Sequence, residues 1–321
     1  MNNHNPLLVE KELRKEIMAT DIYVGIAIAD VTAENIADIK EDVEKSFAIF
    51  KDFEQRFSRF LPDNELTRFN DSSGEIKVSD DLYSMLRLSL KYFKRTKGIF
   101  DPSIYYPLLK EGYVISSQKG FNKKNIDIKY LGESGKFSKI KFLAENTVYK
   151  PADVKIELGG IGKGYVVQKV SNYLQEKYAN FIVDAGGDIF CSGVNIADNL
   201  DCWAIGIEDP LYPENTLEIL KLKDMAAATS GITRKNWRVG NEKKHHLIDP
   251  KSQKSAKNDL LTVTVVSDNV VKADIMAKSI FIMGEEAGLD HAEKNGVAVF
   301  MVKKDKKVKV NNIMERYVWK S

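Results

Sequence analysis

Apolar residues along this chain recur at two periods, and the switches between them mark the elements. Residues 22–29 are apolar and β-rich without a break, which predicts a buried strand. From Thr32 the period becomes helical. Ile36, Ile39, Val43, Phe47, Phe50 and Phe57 share one face, Thr32 stands where a cap belongs, and Glu34 suits the positive helix end. The next helix is punctuated at both ends. Ser79 caps it, Asp80 and Asp81 fill the first turn, and Leu82, Leu86, Leu90 and Phe93 form the core stripe. Lys94, Arg95 and Lys97 suit its negative end, and Gly98 stops it. Two further helices are predicted over 165–178 and 269–283. Residues 112–156 read as strands and loops, and strands are predicted over 181–183, 189–192, 203–207, 217–222, 245–248, 261–266 and 297–302. Strands follow strands too often for a purely βαβ chain, so the fold class expected is α+β. No repeat, low-complexity tract or linker divides the 321 residues. The expectation is a single domain over 1–321, or two intimately packed lobes.

Composition narrows the function classes. Apolar residues make up 43% and charged residues 29%, ordinary for a globular chain able to bury a full core. A net charge of +2 gives no case for nucleic acid, which needs a concentrated basic face. The lysine-rich stretches 119–129 and 303–309 are interrupted by acids and apolar residues, and read as solvated loops or edge strands. Cys191 and Cys202 form no disulfide framework, and no Cys/His pairs have zinc spacing. No run approaches the roughly 18 apolar residues of a membrane span. The first 20 residues carry Glu10, Lys11, Glu12, Arg14, Lys15 and Glu16 and no apolar signal core, so the expected compartment is the cytoplasm.

The candidate chemistry sits at a glycine-lysine loop. Leu158-Gly159-Gly160-Ile161-Gly162-Lys163-Gly164 follows a predicted strand end at Val154–Glu157 and precedes the helix of 165–178. Glycines at such a turn let backbone approach a ligand, a helix N-terminus offers N–H groups to an anion, and Lys163 adds a charge. It is neither a Walker A loop nor a Rossmann fingerprint: Glu157 takes the first glycine position of the former, and the glycine spacing fails the latter. By itself the loop is equally well a glycine-rich turn with a solvated lysine.

Other segments settle that ambiguity by resemblance. Glu157-Leu158-Gly159-Gly160-Ile161-Gly162-Lys163-Gly164-Tyr165 is similar to the D-x-G-G-I-A-K-G-Y of the FAD:protein FMN transferase (ApbE) family. Phe57-Ser58-Arg59-Phe60 with Asn64-Glu65-Leu66, Gly98-Ile99-Phe100-Asp101-Pro102-Ser103 and Gly186-Gly187-Asp188-Ile189 resemble further family segments. So do Thr229-Ser230-Gly231 with Arg234, His245-His246-Leu247-Ile248-Asp249-Pro250, and the run Ala273-Asp274 to Met283-Gly284. They stand in the family's order from end to end of the chain.

The resemblance implies largely antiparallel sheets flanked by helices, with a nucleotide cleft between two lobes. It implies a transferase that moves FMN from FAD to a Thr or Ser of an acceptor protein, releasing AMP. Such phosphoryl transfer is mostly positioning and charge stabilisation. Gly159, Gly160 and Lys163 would cradle the diphosphate. Glu65 and Asp249 would bind ribityl, ribose or adenine groups, Thr229, Ser230 and Gly231 would line the flavin or phosphate side, and Asp101 and Glu157 belong to the same set. His246 is the candidate base, with Asp274 and Lys163 beside it in the catalysis. Bland readings stand next to these. Phe100-Asp101-Pro102 and Thr229-Ser230-Gly231 are also ordinary turns, and His245 and His246, alternating in a strand, face opposite sides. Ile275, Phe281 and Ile282 read as core.

Five departures from the family pattern stand out, the mildest being Gly162 in place of Ala, which keeps the backbone carbonyl. In the family, the Asp matched by Asp274 and a Thr four residues later hold a divalent metal, magnesium by expectation, with a carbonyl at the position of Gly162. Here Lys278 takes the Thr position, and a protonated lysine cannot ligate a metal. Glu157 replaces Asp, Gln168 replaces an acid and Gln253 replaces Gly. The change at 278 keeps two alternatives open: FAD hydrolysis to FMN and AMP, or flavin binding with impaired transfer.

Overall fold

The computed structural model describes residues 7–9, 14–29, 32–113 and 136–320. Strands β1 (Leu7–Val9), β2 (Arg14–Ile17) and β3 (Thr20–Ile28) lead into helix α1 (Ala33–Phe57). Then come α2 (Glu65–Asp71), β4 (Gly74–Lys77), α3 (Asp80–Arg95), α4 (Tyr105–Lys110), β5 (Lys141–Phe142), β6 (Thr147–Lys150) and α5 (Gly162–Gln175). Strands β7 (Phe181–Ala185), β8 (Asp188–Ser192), β9 (Trp203–Glu208), β10 (Thr216–Leu222) and β11 (Met225–Gly231) follow. The short strands β12 (Asn236–Val239), β13 (Glu242–His245), β14 (Ile248–Asp249) and β15 (Lys254–Ser255) lead to β16 (Leu260–Ser267). Helices α6 (Val270–Met283) and α7 (Glu285–Lys294) and strands β17 (Ala298–Lys303) and β18 (Val308–Val310) end the chain.

The architecture is α+β. One sheet runs β1-β3-β7-β8-β11-β16-β17-β18, with β2 also on β3, and every pairing is antiparallel. Alternation along its strands sorts residues to two faces. Ile22, Val24 and Ile26 of β3 and Val263 and Val265 of β16 join the core beneath α1, α5 and α6. Ala27, Leu261 and Val266 turn to the opposite face, which Trp203, Ile207, Leu220 and Leu222 of the β9–β10 ribbon cover. Strand β18, at the sheet's edge, falls in the lysine-rich 303–309 stretch and is exposed throughout, as expected of a strand that must not recruit another. The 119–129 stretch lies outside the described residues. Among the described residues no helix is long and apolar enough to cross a membrane.

Most predicted elements form, and their caps explain where. Thr32 accepts the Asn35 N–H and Ser79 the Leu82 N–H, opening α1 and α3. The α3 stripe is rotated from expectation: Leu82, Met85, Leu86, Ser89 and Tyr92 are buried, while Leu90 and Phe93 are half-buried. The short helices α2, α4 and α7 carry too few turns for a periodic signal. The predicted strand 245–248 divides. β13 ends at His245, and the chain bends so that Leu247 accepts the Ala256 N–H before β14 begins. Thr229-Ser230-Gly231 is the end of β11, paired to β16, and not a turn. Among the described residues the 154–157 strand end pairs with no strand. Asn70 substitutes for one: its Nδ2 donates to the Ile156 carbonyl at 2.9 Å and its Oδ1 accepts the Ile156 N–H at 2.8 Å.

Candidate active site

A cavity of about 1080 Å³ opens at one end of the sheet. The end of α1, the glycine loop, the Gly186-Gly187 turn, β11, the His246 segment and α6 surround it. Local chemistry builds each wall. Leu158 accepts the Ile161 and Gly162 N–H groups at 3.0 and 2.6 Å, which turns the chain sharply into α5. Ile161 gives helix α5 no side-chain cap, but the Leu158 carbonyl takes the Gly162 N–H and Asp274 Oδ2 the Gly164 N–H, which leaves the Lys163 N–H of the first turn for an anion. The β7–β8 turn carries Gly186 at φ +62° and Gly187 at φ +94°, a conformation that only glycine takes at little cost. A Cβ on Gly186 would lie 1.9 Å from Thr20 Oγ1, so a side chain at 186 would also force Thr20 to move.

Lysines dominate the electrostatics. Lys163 Nζ pairs with Asp188 Oδ2 at 2.7 Å, on a carboxylate that is 1% exposed. Lys278 contacts the buried carboxylate of Asp274 one turn back on α6, and Asp274 Oδ2 also accepts the Gly164 N–H at 3.3 Å. Lys235 borders the cavity too, and among the described residues its ammonium has no ion-pair partner. Burial lowers the pKa of Lys278 to about 8. Burial and the nearby Lys163 charge do the same to Lys235, also to about 8. Asp184, whose Oδ1 accepts the Gly187 N–H at 2.7 Å, is pushed up to about 6 by burial.

His246 is neutral in this field. Burial, then the charges of Lys235 and Lys278, drive its pKa down to about 3. Its Nδ1 lies 3.3 Å from the Lys235 carbonyl, which can only accept, so Nδ1 carries the proton and Nε2 is the acceptor nitrogen. His245 turns the other way, with Nε2 at 3.0 Å from the Ala256 carbonyl and its ring edge-on to Phe281.

The cavity gathers Asp101, Glu157, Gly159, Gly160, Gly162, Lys163, Thr229, Ser230, Gly231, His246 and Lys278. Asp274 sits just behind Lys278. Asp101 accepts the Ser103 N–H and hydroxyl at 2.7 and 2.6 Å, a local cap within the cavity wall. Glu157 folds over Gly159, with Arg59 Nε 3.8 Å from its Oε1. Two carboxylates are not brought in. Glu65 accepts Arg56 Nη2 at 2.9 Å and the Ser79 N–H at 3.0 Å, joining α1 to the start of α3. Asp249 accepts the Lys251 and Ser252 N–H groups and caps its own turn. Ile282 packs against the core, as expected, and also borders the cavity. Sequence reasoning missed Lys235. It lies next to Arg234, the residue the motif picks out, but Arg234 pairs with Glu208. No spacing signals a lysine that only the bend after β11 brings inward.

The divalent cation implied by the resemblance does not fit these residues. Both Asp274 oxygens are engaged, one by an N–H and one by an ammonium. Lys278 has no lone pair to offer while protonated. Among the described residues no group of three His, Cys, Asp or Glu side chains could hold a metal.

Comparison with known proteins agrees with the motif order. The profile of the ApbE family matches residues 18–301. The chain belongs to the ApbE family. It is 28% identical over 283 residues to an FAD:protein FMN transferase of Vibrio cholerae, covering 84% of this chain and 81% of that one. The FAD:protein FMN transferase of Haemophilus influenzae is also 28% identical, over 82% of this chain and 77% of its own. The solved flavin transferase ApbE from Vibrio cholerae superposes with a TM-score of 0.78 at 25% identity, covering 97% of this chain and 99% of that one. The apo flavinyl transferase ApbE of Pseudomonas stutzeri gives 0.82 at 20% identity, over 99% and 98%, which shows the shared fold.

Proposed function

We propose that this ApbE-family chain is an FAD:protein FMN transferase that attaches FMN to a Thr or Ser of an acceptor protein. The observation that carries the reading is the convergence of Lys163, Lys235 and Lys278 with the glycine loop at the start of α5 on one cavity. That arrangement suits a diphosphate. At about 1080 Å³ the cavity exceeds the ~300–1,000 Å³ of most drug-sized sites and has room for a dinucleotide.

In this reading the acceptor hydroxyl attacks the FMN-side phosphorus. The phosphoanhydride bond breaks, AMP leaves with the bonding pair, and the hydroxyl proton passes to His246 Nε2. Nδ1, held on the Lys235 carbonyl, fixes the tautomer that makes Nε2 the acceptor. A pKa near 3 makes His246 a poor base in the empty site. Burial depresses it most and the Lys235 and Lys278 charges next; the diphosphate offsets those charges, so basicity rises when substrate binds. Lys163, Lys235 and Lys278 then hold the charge that gathers on the phosphoryl oxygens.

Incubation with FAD and a Thr-bearing acceptor tests this. FMN mass added to the acceptor, with matching AMP release, is the expected result. AMP release without acceptor would make the chain a hydrolase. Tight FAD binding with no AMP would make it a flavin-binding protein, a second reading that the Lys278–Asp274 contact favours.

A further inference from the structure

We infer that the ammonium of Lys278 stands in for a divalent cation, so that the cavity binds the FAD diphosphate without metal. The inference rests on the transferase-site reading above.

Helix α6 presents Asp274 and Lys278 one turn apart on the same face. Asp274 is 1% exposed, and its two oxygens meet the Gly164 N–H and Lys278 Nζ. The lysine stem runs over the glycine loop: a Cβ on Gly160 would lie 3.9 Å from Lys278 Cδ. The ammonium therefore sits between the buried carboxylate and the loop that would hold the diphosphate. A metal neutralising both would occupy that same space.

Three other acids near the glycine loop are engaged as well. Asp188 pairs with Lys163, Glu157 lies beside Arg59, and Asp184 takes the Gly187 N–H. A divalent ion entering at Asp274 would displace the ammonium or sit beside it as a like charge in a poorly solvated place. Lys235, without an ion-pair partner among the described residues, adds a second fixed charge. Positive charge that a bound cation would bring is here built into the chain.

The test uses the full chain and two readouts besides turnover. FAD affinity is measured by flavin fluorescence in EDTA and in excess Mg2+, and Mn2+ binding is measured by EPR. For the unmodified chain, the FAD Kd should differ by less than about threefold between the two buffers, with no Mn2+ bound. Lys278→Thr should lose roughly tenfold or more in FAD affinity in EDTA, regain it with Mg2+, and bind Mn2+. Lys278→Gln keeps a donor for Asp274; if the Thr variant does not fold, loss of metal-free FAD affinity in Lys278→Gln supports the same conclusion. FAD binding by the unmodified chain that collapses in EDTA and returns with Mg2+ would overturn the inference while leaving the transferase reading intact. So would Mn2+ binding by the unmodified chain equal to that of Lys278→Thr. Failure to bind FAD in either buffer would remove the nucleotide site itself.

Discussion

Lys235 and Lys278 stay cationic in the fold only below a pKa of about 8, because burial disfavours their charged forms. An added diphosphate favours those forms. FAD affinity should therefore be greatest below about pH 8 and fall as pH rises through it, with proton uptake on binding above that value. Titration calorimetry in buffers of different ionisation enthalpy would show this. The same shift bears on stability. A lysine whose folded pKa lies below its unfolded value of 10.5 destabilises the fold fully below pH 8, and the penalty fades by about pH 10.5. Lys235→Met should thus stabilise the ligand-free protein at pH 7 by on the order of 1–2 kcal/mol, discounted for the open cavity, while weakening FAD binding. The Lys163–Asp188 ion pair is a separate case. Lys163→Ala strands the buried Asp188 and should cost roughly 3–5 kcal/mol by urea unfolding, and Lys163→Met with Asp188→Asn should recover most of it.

At the scale of elements, the site depends on how closely α5 approaches α6. A Cβ on Gly164 would lie 3.0 Å from both Asp274 Cβ and the Val270 carbonyl. Gly164→Ala should push the helices apart, costing about 1–3 kcal/mol and weakening FAD binding through the displaced Asp274–Lys278 pair. Gln168 has a role at the same junction: its Oε1 accepts from Asn269 Nδ2 at 2.9 Å and from the Val270 N–H at 3.2 Å, at the start of α6. Thermal melts with FAD titrations would check the Gly164 prediction. The long elements were legible in sequence because their signals are local. Thr32, Ser79 and Asn269 each place a side-chain oxygen at a helix start, and β16 is apolar or threonine nearly throughout. The bend between β13 and β14 was not legible. It is set by bonds to residues ten or so positions away, such as His245 N–H to Ser255 Oγ at 3.1 Å.

The whole molecule converges on the cavity from distant parts of the chain. The end of α1, the β7–β8 turn, β11 and α6 are tied together only by the sheet and its helical core. A ligand touching all of them should stabilise the fold as a unit. FAD at about 100 times its Kd should raise unfolding free energy by ~2.7 kcal/mol. Calorimetry should show a single transition shifting upward; a shift confined to a minor early transition would mean that FAD touches only a local segment.

The sequence by itself determined the α+β class, the caps, the glycine-lysine loop and the family order of the motifs, since each is written in neighbouring residues. It also exposed the substitution at 278, because a lysine four residues after Asp274 must share its helix face. Only the tertiary structure decided which charges meet. Glu65 turns to Arg56 and Asp249 to its own turn, while Lys235 swings into the cavity without an ion-pair partner among the described residues. Side chains choose partners by distance in space and by the cost of burying charge unpaired, and neither quantity exists until the chain has folded.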